Sequence, residues 1–164
     1  MSEYTLYKNA RLLDPASGLD IKGELLSKDD RIASLGEKVD APENANIIDL
    51  KGKCLAPGLI DMRVFVGIPG ADYKDTIDNT GEAAAAGGGT TVCVQPNTDP
   101  IIDSIAHIEY LAIRAKNALV HFVAMPAATK QLEGKEMTEI GLMSNAGYNT
   151  FTDCSSTIEN AAIM

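Results

Sequence analysis

Basic residues are scarce: the 164-residue sequence holds 14 Lys and Arg against 23 Asp and Glu, a formal balance of −9 with a pI near 4.6. Nucleic acid is therefore not an expected partner, because its phosphates are held by clustered Lys and Arg. Long apolar runs are also missing. The longest, Ala118 to Ala128, is broken by His121 and Pro126 and falls short of the roughly 18 to 20 residues a bilayer span needs, so no membrane partner is expected. No basic, apolar, small-residue leader opens the chain, and the expected location is cytoplasmic. Cysteine is sparse: Cys54, Cys93 and Cys154 are odd in number and lack C-x-x-C spacing, which reads as reduced thiols rather than a disulfide frame. What is present is 45 % apolar and 23 % charged residues with 14 Gly, the composition of a globular protein with a buried core. The acidic surface suits a basic partner surface.

Two regions differ in rhythm. Over residues 1–56 short strands are expected at Thr5 to Leu13, ending on the Asp14-Pro15 turn, then Ile21 to Ser27 and Arg31 to Leu35 around a Lys28-Asp29-Asp30 hairpin, then Asn46 to Leu50 before a turn at Gly52. Over residues 57–164 four apolar, β-branched segments recur: Leu59 to Val66, Thr90 to Gln95, Ala118 to Ala124 and Asn149 to Thr152. Asp61, Thr91, His121 and Phe151 fall 30 residues apart. Helical patterns lie between them. Thr76 to Ala86 is rich in alanine and stops at Gly87-Gly88-Gly89. Asp103 to Lys116 has Asp103 or Ser104 as N-cap and carries Ile105, Ile108, Leu111, Ala112 and Ala115 on one face. Glu136 to Asn145 ends at Gly147. Strand and helix alternating at this period make βα units with parallel strands and outer helices.

The fold expected is α/β: a β-sandwich segment (1–56) followed by the first four βα units of a (β/α)8 barrel (57–164). A closed barrel takes about 250 residues, so the chain reads as cut short, ending at Ile163-Met164 inside the helix after the fourth strand. The alternative is an open half-barrel whose apolar faces and sheet edges need a partner, and an oligomer is expected.

Three stretches in register carry a resemblance. Pro57-Gly58-Leu59-Ile60-Asp61-Met62, Ala83 to Val92 and Pro96-Asn97-Thr98-Asp99-Pro100, with Gly134-Lys135-Glu136 and Phe151-Thr152-Asp153, resemble a bacterial-type dihydroorotase of the amidohydrolase superfamily over essentially the whole chain. The resemblance implies a TIM-type amidohydrolase barrel and a β-sandwich completed by the C-terminal end. It also implies a His-x-His pair directly after Ile-Asp-Met, where strand residues i and i+2 share a face and meet on zinc. This sequence has Arg63-Val64-Phe65 there. Arginine stays protonated and phenylalanine has no lone pair, so neither ligates a metal. The family continues Leu-Arg-Glu-Pro-Gly, its arginine gripping the substrate carboxylate. Here Val66-Gly67-Ile68-Pro69-Gly70 puts Gly67 at that arginine's place. The loss removes metal affinity and carboxylate recognition together.

Some positions match. Asn97 corresponds to the family's substrate-binding asparagine, and Asn-Thr-Asp-Pro is equally good turn and helix-start chemistry. Asp153 stands where the family places an aspartate near the metals, with Cys154 in place of the second. One carboxylate does not satisfy a zinc that takes four ligands, so Asp153 is the single metal candidate and otherwise a polar residue at a strand end. Cys93, His121 and Cys154 offer zinc-type donors without paired spacing, and read as ordinary packing. His107 reads as a surface residue without a partner in sequence. Gly87-Gly88-Gly89 follows a helix and precedes a strand, the reverse of a phosphate loop. Arg63 at the strand end is also a candidate for binding an anion.

Two functions follow from the resemblance. One is a non-catalytic dihydroorotase homologue without a cofactor, a structural partner of aspartate transcarbamoylase in pyrimidine biosynthesis. The other is an active cyclic amidohydrolase, hydrolysing dihydroorotate to carbamoyl aspartate, with zinc held by a C-terminal half plus Asp153.

Overall fold

The computed structural model describes residues 3–164. It divides into two compact units, Met1–Pro57 and Gly58–Met164.

The first unit is one sheet. Its strands are β1 (Tyr4–Asp14), β2 (Leu19–Lys28), β3 (Arg31–Gly36), β4 (Asn46–Asp49) and β5 (Cys54–Leu55), in the order β3-β2-β1-β4 with β5 also on β1. β1, β2 and β3 run antiparallel, joined where the Asp14-Pro15 and Asp29-Asp30 signals predicted turns. β4 and β5 pair parallel to β1. Leu6, Ala10 and Leu12 of β1 and Leu26 of β2 are buried, the period-2 face of a half-buried strand. Across the first hairpin Arg11 grips Asp20 through both oxygens, at 2.7 and 2.5 Å.

The second unit alternates β6 (Leu59–Val64), α1 (Ile77–Ala86), β7 (Gly89–Val94), α2 (Ile105–Arg114), β8 (His121–Ala124) and α3 (Ile140–Asn145). The sheet is parallel, in the order β6-β7-β8. Thr76 caps α1, its hydroxyl accepting the Asn79 N–H at 3.2 Å, and the helix stops where Gly88 turns to φ +82, a conformation glycine adopts without steric cost. Ser104 is the N-cap of α2. Ile108 and Leu111 of α2 meet Val94 of β7, Ile77 of α1 and Met143 of α3 in one core. Each such buried aliphatic side chain contributes about 2 kcal/mol of burial free energy.

Two expectations are corrected here. The segment 149–152 forms no strand. Its Thr152 N–H donates to Pro126 O at 3.1 Å, but proline has no N–H to return, so no ladder grows. Three parallel strands stand where four were expected. The third helix starts at Ile140 rather than Glu136, because Met137 bridges Thr129. The second unit also leaves an open edge: Leu59, Ile60 and Met62 of β6 remain 66 %, 59 % and 58 % exposed. No helix among the described residues is long and apolar enough to cross a membrane.

Candidate functional site

In a parallel α/β sheet the carboxyl ends of the strands and the loops after them form the place for chemistry. Here that mouth is made by residues 63–70 at the end of β6 and after it, 95–100 after β7, 125–129 after β8, and 152–154.

After β6 the sequence has been turned to packing. The ladder pairs Asp61 with Val92 and Val64 with Val94, so β6 carries one extra residue and bulges, which re-aims side chains. The Arg63 N–H closes this bend on Asp61 Oδ1 at 2.9 Å. The bulge breaks the strict alternation that would bring i and i+2 together. Phe65 lines the groove between β6 and Thr80, Ala83 and Ala84 of α1, whereas Arg63 lies within electrostatic range of Cys154. Val66 and Ile68 are fully buried members of the core. Between them, a Cβ on Gly67 would stand 2.2 Å from Ala71 O and 2.8 Å from Asp75 O. Both obstacles are backbone, so the place of the family's arginine is filled by the chain itself.

After β7 the Asn-Thr-Asp-Pro segment is a turn, as its residues suggested. Pro96 O accepts the N–H groups of Thr98 and Ile102, at 2.8 and 3.0 Å, and the Thr98 hydroxyl donates to Pro100 O at 2.8 Å. Asn97 is exposed on this turn. Its carboxamide makes no hydrogen bond among the described residues.

Asp153 is 5 % exposed and fully engaged. Its Oδ1 accepts the N–H groups of Ala128 and Thr129, each at 2.9 Å. Its Oδ2 accepts the Thr129 hydroxyl. Thr129 Oγ1 in turn accepts the Gly134 N–H at 2.9 Å, so one carboxylate ties three chain segments together. Thr129, wholly buried, is a residue the sequence did not single out. Next to it, Cys154 takes φ +57. Burial pushes its thiol up, against the Asn97 N–H and the Arg63 charge.

The other donors do not assemble. Cys93 is buried with its sulfur 3.8 Å from Met62 Sδ, and burial with the nearby Asp61 charge raises its thiol pKa. His121 opens β8 opposite Thr91, whereas Cys154 follows Asp153, which is tied to the loop after β8. His107 is half-buried rather than on the surface, and its Nδ1, 3.4 Å from Asp103 Oδ1 one turn earlier, is buried without a hydrogen bond among the described residues. Asp103 Oδ2 accepts from Gln131, so Asp103 anchors a loop.

No group of three or more His, Cys, Asp or Glu able to hold a metal occurs among the described residues. Arg63 and Phe65 have no lone pair to give, and the oxygens of Asp153 already accept three donors. The donor set described does not fit a zinc ion.

With this geometry in place, three comparisons agree. A family model described as "Dihydro-orotase-like" matches residues 52–164. A dihydroorotase of Syntrophus aciditrophicus (strain SB) is 39 % identical over 97 % of the chain and 38 % of its own length. One of Wolbachia sp. subsp. Drosophila simulans (strain wRi) is 43 % identical over 96 % of the chain and 36 % of its own length. The chain thus spans little more than a third of these curated relatives. Among solved structures, the L-hydantoinase (dihydropyrimidinase) from Arthrobacter aurescens superposes with a TM-score of 0.75 at 27 % identity, covering 92 % of this chain and 32 % of that one. A D-hydantoinase from Thermus sp., at 24 % identity and TM-score 0.66, shares the fold. With its parallel βα sheet, its Pro-Asn-Thr turn and its sequence matched across both units, the chain belongs to the dihydroorotase-like family of the amidohydrolase superfamily.

Proposed function

We propose that this chain is part of a dihydroorotase-like protein of pyrimidine biosynthesis that has given up hydrolysis and serves as a structural partner of aspartate transcarbamoylase. The observation that carries this reading is the end of β6. Arg63 and Phe65 occupy the two ligand positions, and the backbone of Ala71 and Asp75 occupies the space beside Gly67 where an anchoring side chain would begin. Hydrolysis of a cyclic amide in this superfamily relies on metal-activated hydroxide, and the residues described here hold none. The folding machinery is intact, since the core of Val94, Ile108, Leu111 and Met143 is closed. An inert, stable scaffold is the consequence.

A second reading is an active metal-dependent dihydroorotase whose ligands come from sequence outside this chain. Asn97 and Asp153 at the mouth favour it, as the two positions that match the family. The test is an assay of dihydroorotate hydrolysis by the purified full-length protein, with zinc and with a chelator. The scaffold reading predicts no turnover above background in either condition. Turnover that zinc restores and the chelator removes establishes the second reading.

A further inference from the structure

Helix α2 is apolar on two sides. Its inner side carries Ile108 and Leu111 into the core that also takes Ile77 of α1 and Met143 of α3. Its outer side carries a second stripe: Ala106, Tyr110 and Ile113 follow one another at steps of four and three residues, the spacing that sets side chains on one helix face. Tyr110 is 44 % and Ile113 73 % exposed, and Ala106 is exposed as well. The outer side of α1 differs, with Asp78, Asn79 and Glu82 in solvent and no large apolar side chain exposed. An outward face is normally polar, and apolar side chains grouped on one mark a contact.

The charges beside the stripe say what it contacts. Glu109, Arg114 and Lys116 are exposed and form no ion pair among the described residues. Glu109 and Lys116 lie seven residues apart, about two turns, and so on the same side of the stripe. Ala115 keeps the helical conformation at the C-cap, which holds Lys116 close to that alignment. Glu109 stands as far before the midpoint of Ala112 and Ile113 as Lys116 stands beyond it. A second α2 running antiparallel about a two-fold axis at that midpoint therefore brings each Glu109 level with Lys116 of the other copy, and Ile113 against Ile113. In a chain of formal charge −9, a face with one acid and two bases is also where two copies repel each other least.

We propose that the outward stripe of α2 is the contact through which two copies of this protein associate, as an antiparallel, two-fold symmetric helix pair with Glu109 of each copy against Lys116 of the other. Tyr110 and Ile113 supply the attraction, and the charge pairs at the rim fix the orientation more than the affinity. One helix face from each copy lies at the low end of the area that holds proteins together, so the dissociation constant is on the order of micromolar. The contact is independent of the scaffold reading, because none of its residues belongs to the mouth.

The test is sedimentation velocity of the purified full-length protein, alone, from about 1 to 100 μM. The wild type is expected to pass from monomer to dimer over this range. Ile113→Asp should raise the dissociation constant about tenfold or more. Glu109→Lys and Lys116→Glu should each weaken association about threefold, and the double variant Glu109→Lys with Lys116→Glu should regain the wild-type value. That rescue reads the antiparallel register, which a loss of folding does not imitate. Melting curves report folding of each variant, since the substituted side chains are exposed. The inference is overturned if the wild type stays monomeric throughout, if Ile113→Asp associates as the wild type does, or if the double variant is no tighter than the single ones. An Ile113→Asp variant that dimerises normally but no longer sediments with added aspartate transcarbamoylase would give this face to another protein and overturn the second copy as its occupant.

Discussion

The end of β6 and the turn at Asp153 face the same mouth, yet they have fared differently. By the family resemblance, the first has Arg63, Phe65 and Gly67 where two metal ligands and an anchoring arginine would stand. The second has Asp153 where the resemblance places an aspartate. The difference lies in what else each residue holds. Asp153 binds the N–H groups of Ala128 and Thr129 and the Thr129 hydroxyl, contacts that the fold needs whether or not a metal is present. The residues at 63, 65 and 67 carry no such burden, and their replacements join the surface or the local packing. The presence of an aspartate at 153 is thus explained by structure, and is by itself no sign of catalysis.

The comparison breaks most sharply at Asp153. Replacing Asp153 by Ala strands two buried amide N–H groups and a buried hydroxyl, and is expected to destabilise the protein by about 3 kcal/mol in denaturant unfolding. A variant as stable as the wild type would return Asp153 to a purely catalytic origin. On the β6 side, Gly67→Ala forces backbone apart at Ala71 and is expected to cost about 2 kcal/mol, while Arg63→Met and Phe65→Ser, both exposed, stay within about 0.5 kcal/mol. A tolerated Gly67→Arg would show that the anchoring site is open after all.

Smaller effects follow at the edges. In the 164-residue polypeptide, Ile60→Lys and Met62→Lys place charge on the exposed strand β6. They are expected to lower self-association in analytical ultracentrifugation with little change in stability, since charged edges resist strand pairing. The smallest effect is electrostatic. The Arg11 hydrogen bond holds the Asp20 carboxyl below its usual range, as Ser17 does for Asp14 and Asn9 for Asp49. A carboxyl depressed in the folded state stabilises above the ordinary value of about 3.9, and that contribution is lost as pH falls through the depressed one. The melting difference between wild type and Asp20→Asn is therefore expected to shrink below about pH 4. It should be small throughout and smaller in salt, because the pair is exposed.

Local signals were legible in the sequence, and contacts distant along the chain were not. The alanine run of α1, its glycine stop, and the Ile108 and Leu111 stripe of α2 report their own structure, because helix periodicity and capping are properties of neighbours. The two-residue strand β5 at Cys54 and Leu55 is too short to show a period. The segment 149–152 has strand composition, but the partner it meets is Pro126, which has no N–H to give. At the site, residue type alone shows that Arg63 and Phe65 cannot ligate a metal, whereas their standing at ligand positions is what the resemblance implies. The engagement of Asp153 was not legible, since its partners lie 24 and 25 residues away with nothing in their identity to announce it. Nor was the bulge that sends Arg63 and Phe65 to different surroundings.

The most direct measurement is native mass spectrometry of the protein purified from its own source, because one spectrum reports subunit mass, bound metal and associated chains together. The account predicts a metal-free subunit travelling with aspartate transcarbamoylase. A subunit that carries one or two zinc ions and travels without that partner would contradict it.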